Sequence, residues 1–185
     1  MDQPTDEAVV LLVQKGNRDA FNALMERYEA KLLRYAKKFL FYDPDSAEDV
    51  IQDVFIKVYT NIHSFDASRK FSSWLYRIAH NELINAIKKK GREHVSFFDP
   101  DTLFPHLPSH ETADKEIRHN ELTAALDMAL TKLDVKYREP LILYYFEDMD
   151  YKQIADILRI PVATVGVRLR RAKQAMQKLL NKHAA

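Results

Sequence analysis

The sequence has no cysteine, only three glycines and no long apolar run. The lack of cysteine excludes disulfide bonds, thiolate nucleophiles and cysteine-ligated zinc or iron–sulfur sites. The scarcity of glycine disfavours phosphate-cradling loops and β-sandwich turns, which need glycine where backbones approach closely. No stretch approaches the roughly 18 uncharged apolar residues of a membrane span, and the acidic start differs from a secretory signal peptide. We therefore expect a mostly helical protein of the cytoplasm.

Charge is balanced in total but unevenly distributed along the 185 residues, which suffice for one medium or two small domains. Residues 43–53 contain five acids and no base, and residues 69–92 contain seven bases and one acid. Residues 159–182 contain seven bases and no acid. Blocks of opposite sign predict partners of both signs, although solvated helix faces remain the alternative for any single block.

The first half of the chain has the periodicity of helices. Apolar residues recur at three- and four-residue steps over residues 21–40, which predicts an amphipathic helix. Asp43-Pro44-Asp45 ends this helix, and Ser46 is placed to cap a second, acidic one. Residues 61–70 lack a period and are predicted to form a loop. A third helix is expected from residue 71 to about residue 90.

Gly91 is expected to close this third helix. Residues 92–112 then contain three prolines and no helical or strand period, which predicts a linker. Helical periodicity resumes near Glu111, and no segment has the pattern of a strand. The predicted fold class is therefore all-α, with two small helical domains joined by a proline-bearing linker.

The second half is predicted to contain a helix–turn–helix. Asp134 is expected to cap a helix in which Pro140 removes one hydrogen bond and produces a kink. Residues 151–158 form a short helix, Pro161 lies in the turn, and a longer helix covers residues 162–180. The apolar residues predicted to form the buried face of this last helix are Val162, Val165, Leu169, Ala172 and Met176.

The other side of the last helix is small and polar at its start and cationic along its length. These residues are Ala163, Thr164, Val167, Arg168, Arg170, Arg171 and Lys173. Small residues let a helix enter a DNA major groove, while arginine and lysine bind phosphates or guanine edges. Duplex DNA is the predicted partner, and a chance helix–turn–helix pattern in an all-α protein is the alternative.

A second nucleic-acid surface is predicted on the third helix. Its candidate residues are Arg77, Asn81, Asn85 and Lys88, with Arg69 and Lys70 in the preceding loop. Asparagines and cations beside aromatic rings suit unstacked, single-stranded bases better than a duplex groove. Trp74 is better explained as a core anchor, and Asn81 remains open between a base contact and an ordinary surface amide.

The acidic helix carries Asp49, Gln52 and Asp53 on one face, which suits docking of an arginine-rich partner helix. Binding of a divalent ion or acid–base catalysis is disfavoured, because the segment lacks histidine and the glycine turn of an EF-hand. The seven histidines are scattered along the chain. We therefore expect no cofactor, no metal site and no enzymatic activity.

Three segments of the sequence follow the motifs of one known family. Residues 47–55 (AEDVIQDVF) resemble its Ala-Glu-Asp-x-x-Gln-Glu/Asp-x-Phe segment, and residues 71–81 (FSSWLYRIAHN) its Phe-x-x-Trp-Leu-x-x-Ile-Ala-x-Asn segment. Residues 137–139 (YRE) and 146–151 (FEDMDY) resemble the start of its C-terminal domain. Over nearly the whole chain, the sequence thus resembles bacterial RNA polymerase sigma factors of the extracytoplasmic-function type.

The resemblance implies sigma domain 2 at residues 1–91, a linker at 92–112 and sigma domain 4 at 113–185. Such proteins are non-catalytic subunits that bind core RNA polymerase and direct it to promoters. By analogy, Asp49, Gln52 and Asp53 dock on the largest polymerase subunit. The melted −10 element is assigned to Phe65, Arg69, Lys70, Arg77, Asn81, Asn85 and Lys88.

The same resemblance assigns the −35 duplex to the seven outward residues of the last helix. It assigns the second-largest polymerase subunit to the apolar side of domain 4, and it implies an anti-sigma factor as a further partner. The family usually has Thr-Val-Arg/Lys-Ser/Thr-Arg in the last helix, whereas residues 164–168 are TVGVR. Gly166 and Val167 therefore leave two expected −35 contacts in doubt.

Two other functions compete with a sigma factor. A stand-alone helix–turn–helix regulator predicts tight duplex binding by the isolated chain and gives the acidic helix no role. A helical hydrolase or metal-dependent enzyme needs clusters of ligands or catalytic groups that the sequence lacks.

Overall fold

The computed structural model describes residues 4–41, 46–93 and 124–183, without the side chains of 90–93 and 182–183. Within these ranges every regular element is helical, which confirms the predicted fold class. The long helices are α1 (Asp6–Gln14), α2 (Asp19–Phe39), α3 (Ser46–Asn61), α4 (Phe71–Glu93), the described part of α5 (124–131), α6 (Val135–Tyr145), α7 (Tyr151–Leu158) and α8 (Val162–His183). Most of the predicted linker, from residue 94 onward, lies outside the described residues.

Helices α1 to α4 pack into the first helical unit around an aromatic core. Along α2, Leu24, Tyr28, Leu32, Tyr35 and Phe39 are each at most 6% exposed. These residues are spaced by three or four positions and so share one face of the helix, which confirms the periodicity found in the sequence. The same face packs against α1 on one side and α3 on the other.

The segment between α3 and α4 is more ordered than a simple loop. Residues Ile62–Ser64 form one turn of 3-10 helix. The Gln14 side-chain amide donates to the backbone carbonyls of Ile62 (2.7 Å) and Phe65 (2.9 Å). A polar side chain from α1 thus holds this segment against the unit, which a search for local periodicity does not detect.

Two sequence-based expectations about helix ends are corrected. Gly91 does not close α4, which continues to Glu93. A glycine inside a helix costs only about 1 kcal/mol relative to alanine, so neighbouring helix-forming residues can carry the helix past it. Ser46 is the first residue of α3 and not a residue ahead of it.

Helices α5 to α8 form the second unit. The Asp134 side chain accepts from the backbone N–H of Lys136 (3.0 Å) and caps α6, as expected. Pro140 lies inside α6, where it leaves the Lys136 carbonyl without its usual helical donor. The helix is nevertheless buried around this point, because Arg138 through Leu143 all pack inside.

Helices α7 and α8 form the predicted helix–turn–helix. Asp150 and Gln153 make a reciprocal capping box at the start of α7. Arg159 ends α7 in the left-handed conformation with φ of 56°. Val165, Leu169, Ala172 and Met176 are buried as expected, but Val162 is 45% exposed. As the first residue of α8, Val162 points towards the helix N-terminus, where no earlier turn lies beside it.

The two units pack directly against each other. Helix α7 lies on α4, and α6 lies on α2. Because the core of one unit continues into the other, their buried apolar side chains form one cluster. None of the helices in the described ranges combines the length and apolarity needed to cross a bilayer.

Candidate protein and nucleic-acid interfaces

The acidic face of α3, formed by Asp49, Gln52 and Asp53, is exposed as predicted. Asp49 lies one turn before Gln52 and Asp53, while the opposite side of α3 buries Val50 and Val54 in the core. Spacings of three and four residues bring the two carboxylates and the amide together. The structure thus presents a negatively charged helix face to solvent.

An apolar groove beside the acidic face was not predicted from the sequence. This groove has a volume of about 680 Å³, lies between α2 and α3, and includes Gln52 in its wall. Met25, Ile56 and Tyr59 also line it, and Ile56 is 61% exposed. The available signal was Ile56 itself, an apolar residue one turn beyond the acidic face. A binding partner could therefore make polar contacts with the acidic face and apolar contacts with the adjacent groove.

The outer face of α4 carries Asn81, Asn85 and Lys88, and all three are exposed. Their spacing of four and three residues places them along one line, as the sequence indicated. Glu82, the acid within this basic block, forms an ion pair with Lys57 of α3 at 2.7 Å. This pairing offsets the one acid of the basic block, so the amides and the cation dominate the face.

Four of the residues assigned to the −10 element line one small cavity. Phe65, Arg69, Lys70 and Arg77 surround a volume of about 190 Å³, with Trp74 in the same wall. Phe65 is only 6% exposed, and its ring centroid lies 5.1 Å from that of Trp74. These aromatic rings therefore support the cavity wall from the core, in agreement with the anchoring role expected for Trp74.

The second unit reaches into this cavity through Asp156 of α7. The Asp156 carboxylate forms ion pairs with Arg77 and with Arg69, the latter at 3.3 Å. Arg77 Nε also donates to the backbone carbonyl of Asp156 (3.1 Å). Two arginines assigned to DNA are thus bound to a carboxylate of the same chain.

Two further carboxylates of the second unit are buried against the first. Glu139 accepts from the Tyr35 hydroxyl (2.6 Å) and lies 2.5 Å from His80 Nδ1. Glu147 accepts from the Tyr76 hydroxyl (2.5 Å) and from Arg34 (3.1 Å). Their partners are at least 59 residues away in sequence, so sequence patterns could not reveal these contacts.

Burial governs the titration of these interface groups. The pKa of Tyr35 is raised well above its ordinary value, first by burial and then by the Glu139 carboxylate. Burial is also the main cause of the raised pKa of Glu147, which the Tyr76 hydrogen bond and Arg34 partly offset. The tyrosines therefore stay protonated and act as hydrogen-bond donors.

A second groove follows the line where the two units meet. It has a volume of about 650 Å³ and lies between α2 and α5. Arg34, Lys37 and Lys38 line one wall, and Asp127 and Met128 line the other. Lys38 crosses the groove to form an ion pair with Asp127 at 2.8 Å.

The exposed face of α8 is centred on small and apolar residues. Ala163, Val167 and Arg170 are exposed along one line, and Val167 is 39% exposed. Gly166 lies to one side, where an added Cβ would be 3.5 Å from Tyr151 Cε2. Of the two departures from the family motif, only Val167 therefore lies at the centre of the outward face.

The cations of α8 lie around this centre. Arg171 Nη1 is 3.5 Å from the Tyr137 hydroxyl, and Lys173 Nζ lies 5.3 Å from the centre of the Tyr145 ring. A hydrogen bond to Tyr145 is the main cause of the raised pKa of Lys173. Thr164 and Arg168 are half-buried. The cations of α8 thus flank Val167 and lie where they could bind a nucleic-acid backbone on either side of it.

Two family descriptions match the chain. Residues 24–93 match Sigma-70 region 2, and residues 123–176 match Sigma-70, region 4. The ECF RNA polymerase sigma factor SigW of Bacillus subtilis is 34% identical, over 91% of this chain and 92% of that protein. The RNA polymerase sigma-H factor of Pseudomonas aeruginosa is 33% identical, over 97% of this chain and 96% of that protein.

Solved structures agree with this relationship. CnrH, in complex with the cytosolic domain of CnrY, superposes with a TM-score of 0.71 at 26% identity, over 97% of this chain and 99% of that one. The sigma factor RpoE from Bartonella quintana, in complex with the anti-sigma factor NepR, superposes with a TM-score of 0.68. That alignment is 25% identical and covers 87% of this chain and 96% of the other.

Proposed function

The chain belongs to the extracytoplasmic-function sigma factors, which direct RNA polymerase to promoters, and we propose that it acts as a non-catalytic subunit with three binding surfaces. The first unit corresponds to sigma domain 2 (residues 1–91) and the second to sigma domain 4 (residues 113–185). One observation carries the assignment of surfaces. Phe65, Arg69, Lys70 and Arg77, selected from sequence for one DNA element, line a common cavity.

Core polymerase binds to the acidic face of α3 in this proposal. Asp49, Gln52 and Asp53 would contact basic side chains of the largest subunit, because carboxylates and guanidinium groups form strong paired hydrogen bonds. The adjacent groove would add apolar contacts through Ile56 and Tyr59. The apolar side of domain 4 would bind the second-largest subunit.

Single-stranded DNA of the −10 element binds to the face and cavity of α4. Arg69, Lys70, Arg77 and Lys88 would bind phosphates, while Asn81 and Asn85 would pair with the edges of unstacked bases. Phe65 supports the cavity from below, since its side chain is buried against Trp74. This surface would hold the strand that is exposed when the promoter opens.

Duplex DNA of the −35 element binds to α8. Ala163, Thr164 and Val167 would approach base edges, because the first turns of a recognition helix enter the major groove. Arg168, Arg170, Arg171 and Lys173 would bind phosphates or guanine edges on either side. We propose a cytoplasmic protein, associated with the nucleoid when active and held by an anti-sigma factor, near the membrane or free of it, when inactive.

The decisive experiment is transcription with purified core polymerase on genomic DNA, followed by mapping of the transcript starts. We expect starts that require both components and that share −10 and −35 sequences. Because the phosphate contacts release counterions, the chain alone should bind duplex DNA weakly and lose affinity steeply with salt.

The stand-alone regulator predicts the opposite outcome. Nanomolar, sequence-specific duplex binding without polymerase, together with no effect on the transcript starts, would contradict the proposal.

A further inference from the structure

Besides Asp127, which pairs with Lys38 across the groove, three carboxylates of domain 4 in α6, α7 and the turn between them are bound to groups of domain 2. Glu139 and Glu147 are the buried pair: Glu139 is 3% exposed, and the Glu147 side chain is 1% exposed. Asp156 is the outer member, with a side chain that is 39% exposed. We call the arrangement in which all three contacts are made the closed arrangement.

Asp156 occupies the position that a DNA phosphate would need. Arg69 and Arg77 line the −10 cavity, and both donate to its carboxylate. A carboxylate and a phosphate bind guanidinium groups through the same charge-assisted hydrogen bonds. The two anions therefore compete for the same two side chains.

The buried contacts and the outer contact contribute differently to the stability of the closed arrangement. An ion pair as exposed as that of Arg69 with Asp156 is weak, because water screens it. The buried hydrogen bonds of Glu139 and Glu147 to Tyr35 and Tyr76 lie in a drier environment, where breaking them leaves polar groups unsatisfied. Glu139 and Glu147 hold α6 and its following turn against domain 2, which places α7 over the cavity.

We propose that domain 4 is an intramolecular competitor for the −10 binding surface of domain 2. In the closed arrangement Asp156 of α7 pairs with the guanidinium groups of Arg69 and Arg77, although the Arg69 side chain is 57% exposed. Single-stranded DNA gains both arginines only when this carboxylate is displaced. This inference rests on the proposed −10 role of these arginines. If the closed arrangement holds about nine tenths of the molecules, separation should strengthen binding about tenfold, because the apparent Kd is the intrinsic Kd divided by the competent fraction.

The test uses the full chain and two variants that break different contacts. Asp156→Ala frees the arginines directly, while Glu147→Ala removes a contact that does not involve either arginine. Glu26→Gln, at an exposed site on α2, changes the net charge equally and serves as the control. Thermal unfolding checks that each variant is folded.

Two readouts are needed. Fluorescence anisotropy measures binding of a labelled single strand carrying a mapped −10 sequence. Because the chain has no cysteine, dyes at Asn22→Cys and Lys178→Cys report the separation of the domains by energy transfer. We expect both alanine variants to bind the strand more tightly, Glu147→Ala by about tenfold. Energy transfer should fall in Glu147→Ala and stay high in Asp156→Ala, which keeps the buried contacts of Glu139 and Glu147. The control should match the parent in both readouts. The strand should also lower energy transfer in the parent, because coupling between binding and opening is reciprocal.

The outcomes separate this inference from the −10 assignment. The proposed competition would be overturned if Glu147→Ala bound the strand with unchanged affinity. It would also be overturned if energy transfer fell neither in Glu147→Ala nor on saturation of the parent with the strand. Normal strand binding by Arg77→Ala would instead overturn the −10 role of that arginine.

Discussion

At the scale of single residues, Val167 lies at the centre of the outward face of α8, between Ala163 and Arg170. The family motif has a hydroxyl residue here, and valine offers methyl groups in its place. Apolar side chains in the major groove contact the 5-methyl group of thymine. Under the proposed −35 role we expect Val167 to contact such a methyl group, whereas Gly166 lies towards Tyr151.

Replacing thymine by deoxyuridine in the −35 element tests this directly. One buried methyl group contributes about 0.8 kcal/mol, so loss of the contacted methyl should lower initiation by the parent holoenzyme about fourfold. Val167→Ala should remove most of this sensitivity. Val162→Ala removes the same atoms from an exposed valine away from the centre of the outward face, and it should keep the sensitivity to deoxyuridine. Equal sensitivity in all three proteins would contradict the assignment.

Asp53 tests the acidic face. Asp53→Lys should weaken association with core polymerase about tenfold, a loss of about 1.4 kcal/mol, because it places a cation against a basic partner. Competition against the parent chain for limiting core polymerase measures the change. Glu26→Lys makes the same reversal on α2 and should leave association within twofold. A similar loss in both variants would indicate a general effect of charge.

Asn81 tests the −10 face separately from polymerase binding. Asn81→Ala should leave association with core polymerase unchanged and should reduce promoter opening, because a pairing group for an unstacked base is lost. Permanganate reactivity of unpaired thymines measures opening. A premelted promoter should restore much of the activity of the variant. Normal opening on duplex promoters would remove Asn81 from the assigned residues.

At the scale of helices, local pattern accounts for most elements. The spacing of Leu24, Tyr28 and Leu32 indicated α2, and the capping role of Asp134 was also visible in sequence. Gly91 shows the limit of such signals, because this single glycine does not end α4 as the sequence pattern predicted. Val162 shows another limit, because a helical wheel treats the first residue of α8 like an interior one.

Two helix ends provide a stability test. Arg159 adopts φ of 56° and Gly16 adopts φ of 97°. The left-handed region costs a residue with a Cβ about 1–2 kcal/mol but costs glycine little. Arg159→Gly should therefore increase the free energy of unfolding by up to about 1 kcal/mol, after glycine's greater unfolded-state entropy is deducted.

Gly16→Ala should lower the free energy of unfolding by about 1–2 kcal/mol, although no atom lies within 4 Å of the added Cβ. Urea denaturation of the full chain measures both changes. Opposite signs are expected for the two substitutions, and a loss of stability in both would mean that contacts of the Arg159 side chain outweigh its backbone strain.

At the largest scale, the sequence suggested the candidate surfaces but not how the two units pack against each other. The structure places Arg69 on an exposed segment and brings Arg69 and Arg77 to one cavity. Sequence reasoning could not pair Arg77 with Asp156, because the two residues are 79 positions apart and neither belongs to a periodic pattern that points to the other. The groove beside the acidic face was missed for the same reason, since its two walls come from different helices.

Acidity should favour the closed arrangement through Glu147. Burial raises its pKa above the ordinary value of 4.5 in that arrangement, and Tyr76, Arg34 and Lys31 offset only part of this shift. The closed arrangement therefore binds the proton more tightly, and its stability falls as the pH rises from that ordinary value through the raised one. Energy transfer between the two dyes, followed against pH, measures the change. Glu147→Ala should lose the part of the pH dependence that comes from this carboxylate, and an identical profile in both proteins would contradict the prediction.

The pairing of Asp156 with Arg69 and Arg77 has a consequence for the ionic atmosphere of the free protein. The single negative charge of Asp156 already offsets one of the two positive charges of these guanidinium groups, which would otherwise attract dissolved anions. When a nucleic-acid strand replaces Asp156, these positions exchange one fixed anion for another, so fewer small ions return to bulk solution than the number of basic side chains suggests. Dilution of the buffer therefore promotes capture of the strand less than the full positive charge of the surface would imply.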